Sequence, residues 1–274
     1  MQKDAHFYMT YVIARMIGIE RRDARTIAWA DQYTDDMTQD DISAYGIQTQ
    51  CDLLENWKDR EIQYTVLVPF HFLPGDDADR PWVTTPNCRL SQKLIAPAVW
   101  NKDPYRMGIA LHALQDTFSH QGFSGWDEKA NSCYPWYYLQ SALPNVGHTE
   151  MQTMPDIIHA VWTDPRNNEY IVNADRAALA AEATFNALGN YFYESTHCLA
   201  QISWDDIRDK ICGTFTMGYD ERKAALKKLI STSIQYSKGR PVQLALHEGR
   251  KPFIRAAREQ LAMVMDHCVN LSVE

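Results

Sequence analysis

The sequence predicts a mostly α-helical protein. Apolar residues recur at helical spacing along most of the chain. Only one segment alternates like a strand, and turn-forming residues concentrate in a single long stretch.

His6 to Ile19 opens the helical pattern, with Tyr8, Tyr11, Val12, Ala14, Arg15, Ile17 and Ile19 in a mixed but largely helical spacing. A second helix runs from Asp23 to about Thr38, with Ile27, Ala28, Ala30 and Tyr33 on one stripe. Glu61 to Phe72 breaks the pattern. Ile62, Tyr64, Val66 and Val68 alternate over a β-branched run, which predicts a strand or extended segment, and Pro74-Gly75-Asp76-Asp77 closes it with turn chemistry. Leu90 to Trp100 and Pro104 to Phe118 are helical, the second opened by a proline in its first turn. Gly122 to about Pro165 is rich in Gly, Pro, Ser and Trp and predicts long loops with short helices; loops of that length signal function or a missed element. Ala174 to Tyr193, Trp204 to Cys212, Asp220 to Tyr236 and Lys251 to Val269 complete a helical C-terminal half. No repeat, low-complexity tract or linker marks a boundary. One domain over 1–274 is expected, with the candidate site in 1–160 and helical support in 161–274.

Composition removes several function classes. Among 274 residues, 27 basic and 35 acidic side chains give a formal charge of -8, which speaks against coating duplex nucleic acid. Eight Trp, fourteen Tyr and nine Phe supply the apolar surface that a disordered chain lacks. No stretch approaches the roughly 20 uncharged apolar residues of a membrane-spanning helix. The N-terminus shows no signal-peptide pattern, so a cytoplasmic protein is expected if Met1 is the natural start, and an exported one if a signal was removed. Six Cys (51, 88, 133, 198, 212 and 268) form no Cys-x-x-Cys pair, which argues against a zinc ribbon or thioredoxin-type site and for reduced, mostly buried thiols.

The most informative segment runs from His112 to His120. Residues four apart on an α-helix lie only about 40° apart around its axis, so His112, Asp116 and His120 project from one face. Imidazoles and a carboxylate are a ligand set for Zn²⁺ or a similar first-row divalent ion. A solvated polar face is a poor alternative, because Ile109, Ala110, Ala113, Leu114 and Phe118 make the helix otherwise apolar. Asp31 and Asp35 stand one turn apart on the second helix, beside Asp36. His71 sits between Phe70 and Phe72, and its claim as a ligand depends on the others.

Trp29-Ala30-Asp31, His71-Phe72, His112-x3-Asp116-x3-His120 and Gly147-His148 follow one another in an order that resembles the zinc-dependent phospholipase C and fungal single-strand nuclease superfamily. The match covers roughly residues 1–160 as scattered short motifs. Asp4-x-His6 and His120-Gln121-Gly122-Phe123-Ser124 resemble more closely an uncharacterised bacterial branch without an established activity. The resemblance implies a mostly helical fold and up to three zinc ions that hydrolyse phosphate esters. It implies that Asp31, His71, His112 and Asp116 hold one ion, His120 and His148 a second, and His6 with Asp116 a third. It also implies that Asp31 orients or deprotonates the attacking water.

The chain departs from that pattern in three places. It starts with Met1 where family members coordinate an ion through the amino group of an N-terminal Trp. The gap from Asp31 to His71 is longer, so Asp35 or Asp36 could replace Asp31. Gln152 stands where the family pairs its fourth His with an acid, so Glu150 or Asp156 could substitute.

Other features fit plainer readings. Glu194-x-x-His197 lacks the second copy that a di-iron bundle requires. His159, His247 and His267 lack ligand-like neighbours, and Lys223, Lys227 and Lys228 fit a solvated face. No His-Asp dipeptide, Gly-x-Ser-x-Gly, phosphate loop or dinucleotide glycine pattern occurs. Trp126, Tyr134, Trp136 and Tyr137 could line a substrate entrance or pack the loop onto the body. The resulting expectation is a metal-dependent hydrolase of phospholipid or nucleotide phosphoesters. The competing one is a helical protein that keeps a metal for structure or sensing.

Overall fold

The computed structural model describes residues 1–38, 45–52, 58–133, 144–233 and 250–271, and it is mostly helical. A π-helical stretch, Asp4–Met9, runs directly into α1 (Thr10–Ile17), which Gly18 ends in the left-handed conformation. Then come α2 (Arg21–Asp36), α3 (Arg89–Asn101), α4 (Pro104–Ser119), β1 (Val161–Asp164), β2 (Glu169–Val172), α5 (Asn173–Thr196), α6 (Trp204–Cys212), α7 (Tyr219–Ser233) and α8 (Arg250–Leu271). Among the described residues, no helix is long and apolar enough to cross a membrane.

The axis of the structure is α4. Asp103 caps it by accepting the amide N–H groups of Tyr105 and Arg106 at 3.0 and 3.2 Å, and Pro104 starts it where its missing N–H costs nothing. Every residue from Met107 to Ser119 is buried, because α2, α3, α5 and α8 pack around this helix. Its closest neighbour is α2. A side chain at Gly108 would collide with the Ile27 carbonyl and would lie 2.6 Å from Ala30 Cβ and 2.8 Å from the Asp31 amide nitrogen. Glycine there lets the two backbones approach at the level of Asp31.

Two sequence expectations are corrected. The segment from Glu61 to Phe72 is helical: a turn at Arg60–Ile62, a π-helix at Gln63–Leu67 and another turn at Val68–Phe70. Asp59 caps it, accepting from the Glu61 and Ile62 amides at 2.9 and 3.3 Å. Residues 66–72 are all buried, so the β-branched run reflects enclosure rather than a pleat with one wet face. The second correction is a hairpin at the end of the expected loop. β1 pairs antiparallel with β2 from Val161↔Val172 to Asp164↔Glu169. Val161, Trp162, Thr163, Tyr170 and Ile171 flank Pro165-Arg166-Asn167-Asn168, a strand signal masked by the surrounding turn residues.

The rest of the 122–165 stretch holds 3-10 turns at Lys129–Asn131, Thr149–Met151 and Met154–Asp156. Trp126 packs rather than projects: its ring stacks on Tyr64 at 5.4 Å and meets Trp82 edge-on at 5.2 Å. Tyr134, Trp136 and Tyr137, like residues 234–236 of the expected seventh helix, lie outside the described residues. All six cysteines are free thiols, with Cys51, Cys88, Cys133 and Cys268 buried.

Replacing Gly108 with Ala is expected to destabilise the fold by about 1–3 kcal/mol, the usual cost of overpacking. Thermal unfolding by circular dichroism checks this, and an unchanged midpoint would mean that α2 and α4 separate without cost.

Candidate metal centre

Five pieces of the chain meet along the C-terminal half of α4. The π-helical stretch carries His6 and, ahead of it, the Met1 amine. The last turns of α2 supply Asp31 and Asp35, and His71 caps the Val68–Phe70 turn. His112 and Asp116 stand one turn apart on α4, and His120 is its C-cap. The following loop brings His148 and Asp156. All eight candidate ligands named from the sequence (His6, Asp31, Asp35, His71, His112, Asp116, His120 and His148) therefore lie in one region.

Asp116 is its hub. Oδ1 lies 2.6 Å from the Met1 amine and 3.4 Å from His6 Nε2. Oδ2 lies 3.2 Å from His71 Nδ1, 3.3 Å from His112 Nε2 and 3.7 Å from His120 Nδ1. Asp35 Oδ1 approaches His112 Nε2 at 3.6 Å and His71 Nδ1 at 3.8 Å. Beyond Asp116, Asp156 bridges His120 Nε2 at 3.0 Å and His148 Nε2 at 3.3 Å. Among the described residues, three donor groups could each hold a metal ion: Asp35–His71–His112, His120–His148–Asp156 and His6–Asp31–His112.

The hydrogen bonds behind the rings decide which nitrogens are available. His71 Nε2 donates to the Thr49 carbonyl at 2.7 Å, His120 Nδ1 to the His71 carbonyl at 2.8 Å, and His148 Nδ1 to the Gln152 carbonyl at 2.7 Å. A carbonyl only accepts, so each neutral ring keeps its proton there and turns a lone pair toward the carboxylates. Metal-binding histidines are held in this way. The donor set also passes a stricter test. Among the described residues, His6 Nε2 is buried without a hydrogen-bond partner and faces Asp116 Oδ1 at 3.4 Å, which is costly unless something else occupies its lone pair.

Packing places the second group. Phe72 stacks on His120 with ring centres 4.5 Å apart, and His120 lies 4.8 Å from His148. Gly147, at φ +55°, precedes His148. A Cβ there would lie 2.5 Å from the Phe72 ring, so only glycine lets this loop settle onto the aromatic floor.

The geometry rearranges the ligand sets that the resemblance implies. Asp35, not Asp31, joins His71, His112 and Asp116. Asp31 is fully buried and lies on the opposite, Nδ1 side of two rings, 2.9 Å from His6 Nδ1 and 3.5 Å from His112 Nδ1. That position leaves its carboxylate enclosed, whereas Asp35 keeps part of its side chain exposed. Asp156 accompanies His120 and His148, whereas Glu150 accepts the Cys133 amide at 2.6 Å. Asp36 is exposed and accepts from Gln32 at 3.1 Å. His159 and His197 are exposed, Glu194 and His267 are half-buried, and His247 lies outside the described residues. Lys227 and Lys228 are exposed and Lys223 half-buried. The sequence reading treated Met1 as a departure without pairing its amine with Asp116, and it missed Gln115. Gln115 was detectable on the ground used for His112: it is a polar residue in the middle of an apolar helix.

A family model matches residues 1–267. The chain belongs to a family of unknown function (DUF6765). No curated protein and no solved structure matches it.

Without an ion the cluster holds protons. Burial opposes charge on the Met1 amine, but Asp116, Asp156 and Asp35 outweigh it and raise the amine to about 11. Burial likewise opposes charge on His112, yet Asp35 and Asp116 raise it to about 10. His6 is raised too, against burial and its positive neighbours, by Asp31 and Asp116. Burial raises Asp116 and Asp156, but the Met1 amine and the neighbouring imidazoles hold both well below the usual carboxylate range. Burial lowers His148.

The signs give a pH prediction for the metal-free protein. Raised groups contribute stability that is complete below their ordinary values, 6.5 for His112 and 8.0 for the amine, and that is lost as pH rises through 10 and 11. Lowered carboxylates contribute above 3.8 and lose it as pH falls toward their folded values. Denaturant unfolding across pH is expected to peak between about 4 and 6.5 and to decline steadily toward 10. A profile flat from 6.5 to 10 would exclude protonated His112 in the folded state.

Proposed function

We propose that this chain is a metal-dependent hydrolase of phosphate esters, with a phospholipid or a nucleotide-type substrate, related to the zinc-dependent phospholipase C and single-strand nuclease superfamily. One arrangement carries the reading: the Asp35–His71–His112 and His120–His148–Asp156 groups adjoin one another, with His112 Nε2 3.3 Å from Asp116 Oδ2 and the Met1 amine between Asp116 Oδ1 and Asp156 Oδ1 at 2.6 and 3.2 Å. Nitrogen and carboxylate oxygen donors suit Zn²⁺, from one to three ions, and other first-row divalent metals.

When bound, such ions lower the pKa of a coordinated water and neutralise charge on a phosphoester. The chain's own residues do the rest. Asp35 keeps 24% of its side chain exposed and takes the water-orienting position implied for Asp31. Gln50 donates to its Oδ1 at 3.4 Å and restrains it. Asp156 and His148, at 21% and 13% exposure, form the other accessible edge, so substrate enters between them and Asp35. The competing reading, a metal kept for structure or sensing, is favoured by the complete burial of His6, Asp31 and His112, because structural zinc sites are closed.

Protein purified without added zinc is expected to carry metal and to hydrolyse bis(p-nitrophenyl) phosphate, with loss on chelation and recovery on adding zinc. His112→Ala is expected to lose metal and roughly 100-fold or more of that activity. Metal without turnover of phosphomonoesters or phosphodiesters would select the non-catalytic reading. No metal, with His112→Ala leaving thermal stability unchanged, would overturn both.

A further inference from the structure

Behind the candidate ligands lies a closed network whose direction is fully determined. Thr184 Oγ1, on α5, donates to the Ala180 carbonyl at 2.8 Å, so it can only accept from the Gln115 side-chain amide 3.2 Å away. Thr10 Oγ1, on α1, donates to Asp31 Oδ2 at 2.7 Å and accepts from the same amide at 2.8 Å. Asp31 Oδ2 also lies 3.1 Å from it and can only accept. Three acceptors therefore identify the Gln115 atom facing them as the nitrogen, Nε2. Its Oε1 must face His6 Nδ1, at 2.9 Å, and an oxygen there requires a proton on that nitrogen.

His112 reaches the same state by another route. His71 Nδ1 carries a lone pair, since its Nε2–H is given to Thr49, and it lies 3.2 Å from His112 Nε2. On the far side of the ring, His112 Nδ1 and Asp31 Oδ1 are two buried atoms without hydrogen bonds, 3.5 Å apart. The single hydrogen on His6 Nδ1 is directed at Gln115, so it leaves Asp31 Oδ1 unsatisfied. With a proton on His112 Nδ1 the two atoms face each other as donor and acceptor at 3.5 Å, a contact longer than an ordinary hydrogen bond, whereas a lone pair there would set two buried acceptors against each other.

We infer that Gln115 and Asp31 are positioning residues that hold a proton on Nδ1 of His6 and of His112, respectively, and so reserve Nε2 of both rings for metal ions. This rests on the metal reading above. Both Nε2 atoms face the Asp116 side, at 3.4 Å from Oδ1 and 3.3 Å from Oδ2. An ion and a proton then exchange at Nε2 alone, and neither ring has to turn over. The alternative use of these residues, an ion held by His6, Asp31 and His112 through Nδ1, would strip the His6 Nδ1 proton and set the Gln115 oxygen against a lone pair.

The deciding measurement is side-chain ¹⁵N NMR of histidine in the zinc-loaded wild-type protein, which needs no variant to fold. The expected pattern is a protonated Nδ1 and a metal-bound Nε2 for both His6 and His112; metal on Nδ1 of either ring would overturn the inference. Asp31→Asn and Gln115→Met test the energetic side by chelator competition and native mass spectrometry. Each is expected to weaken zinc binding by about 10–100-fold while leaving the ion count at saturating zinc unchanged. An Asp31→Asn protein that loses one whole ion at saturation would make Asp31 a ligand, and unchanged affinity in both variants would deny them a positioning role. Wild-type protein that binds no zinc would instead overturn the metal reading itself, and this inference with it.

Discussion

A carboxylate with 1% of its side chain exposed, on a helix buried from Met107 onward, governs the surroundings of α4. Burying the Asp116 charge would be prohibitive without partners, because desolvation of an unpaired ion costs several kcal/mol or more. One oxygen accordingly lies beside the Met1 amine and His6, and the other beside the rings of His71, His112 and His120. The N-terminal stretch, the Val68–Phe70 turn and the end of α4 have to converge on this point, and the tight approach at Gly108 lets α2 follow.

A second buried pair holds the first stretch in place. Asp4 and Arg222 are both fully buried; Arg222 Nε donates to Asp4 Oδ2, and Nη1 donates to the Phe215 and Met217 carbonyls at 3.3 and 2.7 Å. The pair joins α7 to the π-helical stretch that carries His6, with the Met1 amine immediately ahead of it. The C-terminal half is therefore part of the site's mechanics, since Arg222 anchors the stretch and Thr184 on α5 orders Gln115. The expected division into a functional first part and a supporting remainder understates that connection.

What could be read in advance followed physical range. His112 and Asp116 were legible because a helix fixes their relation locally, at one turn. Asp35 against Asp31 was not, because a one-turn shift along α2 keeps both on nearly the same face, and only the packing depth at Gly108 decides which one sits beside His71. Asp156 against Glu150 was open for a similar reason: a loop of 3-10 turns has no period to extrapolate. The segment at 61–72 misled through its β-branched residues, whose alternation mimics a pleat although all of residues 66–72 are enclosed. The Met1 amine was marked only by the resemblance, as the place of an N-terminal Trp, because its contact with Asp116 spans 115 positions and leaves no local pattern.

Electrostatics connects the protonated and metal-loaded descriptions of the site. Asp35, Asp116 and Asp156 bring three carboxylates together, and without ions the balancing charge comes from the Met1 amine and from protons on imidazoles. Metal binding would replace protons at the same lone pairs, trading single charges for divalent ones. The accessible edge consists of Asp35, Asp156 and His148, two of which are acidic. Under the phosphoesterase reading, a phosphoester approaching that edge would meet carboxylate charge, which bound ions would offset. Metal would then govern the capture of substrate as well as its hydrolysis, which reconciles a chain of charge -8 with an anionic substrate.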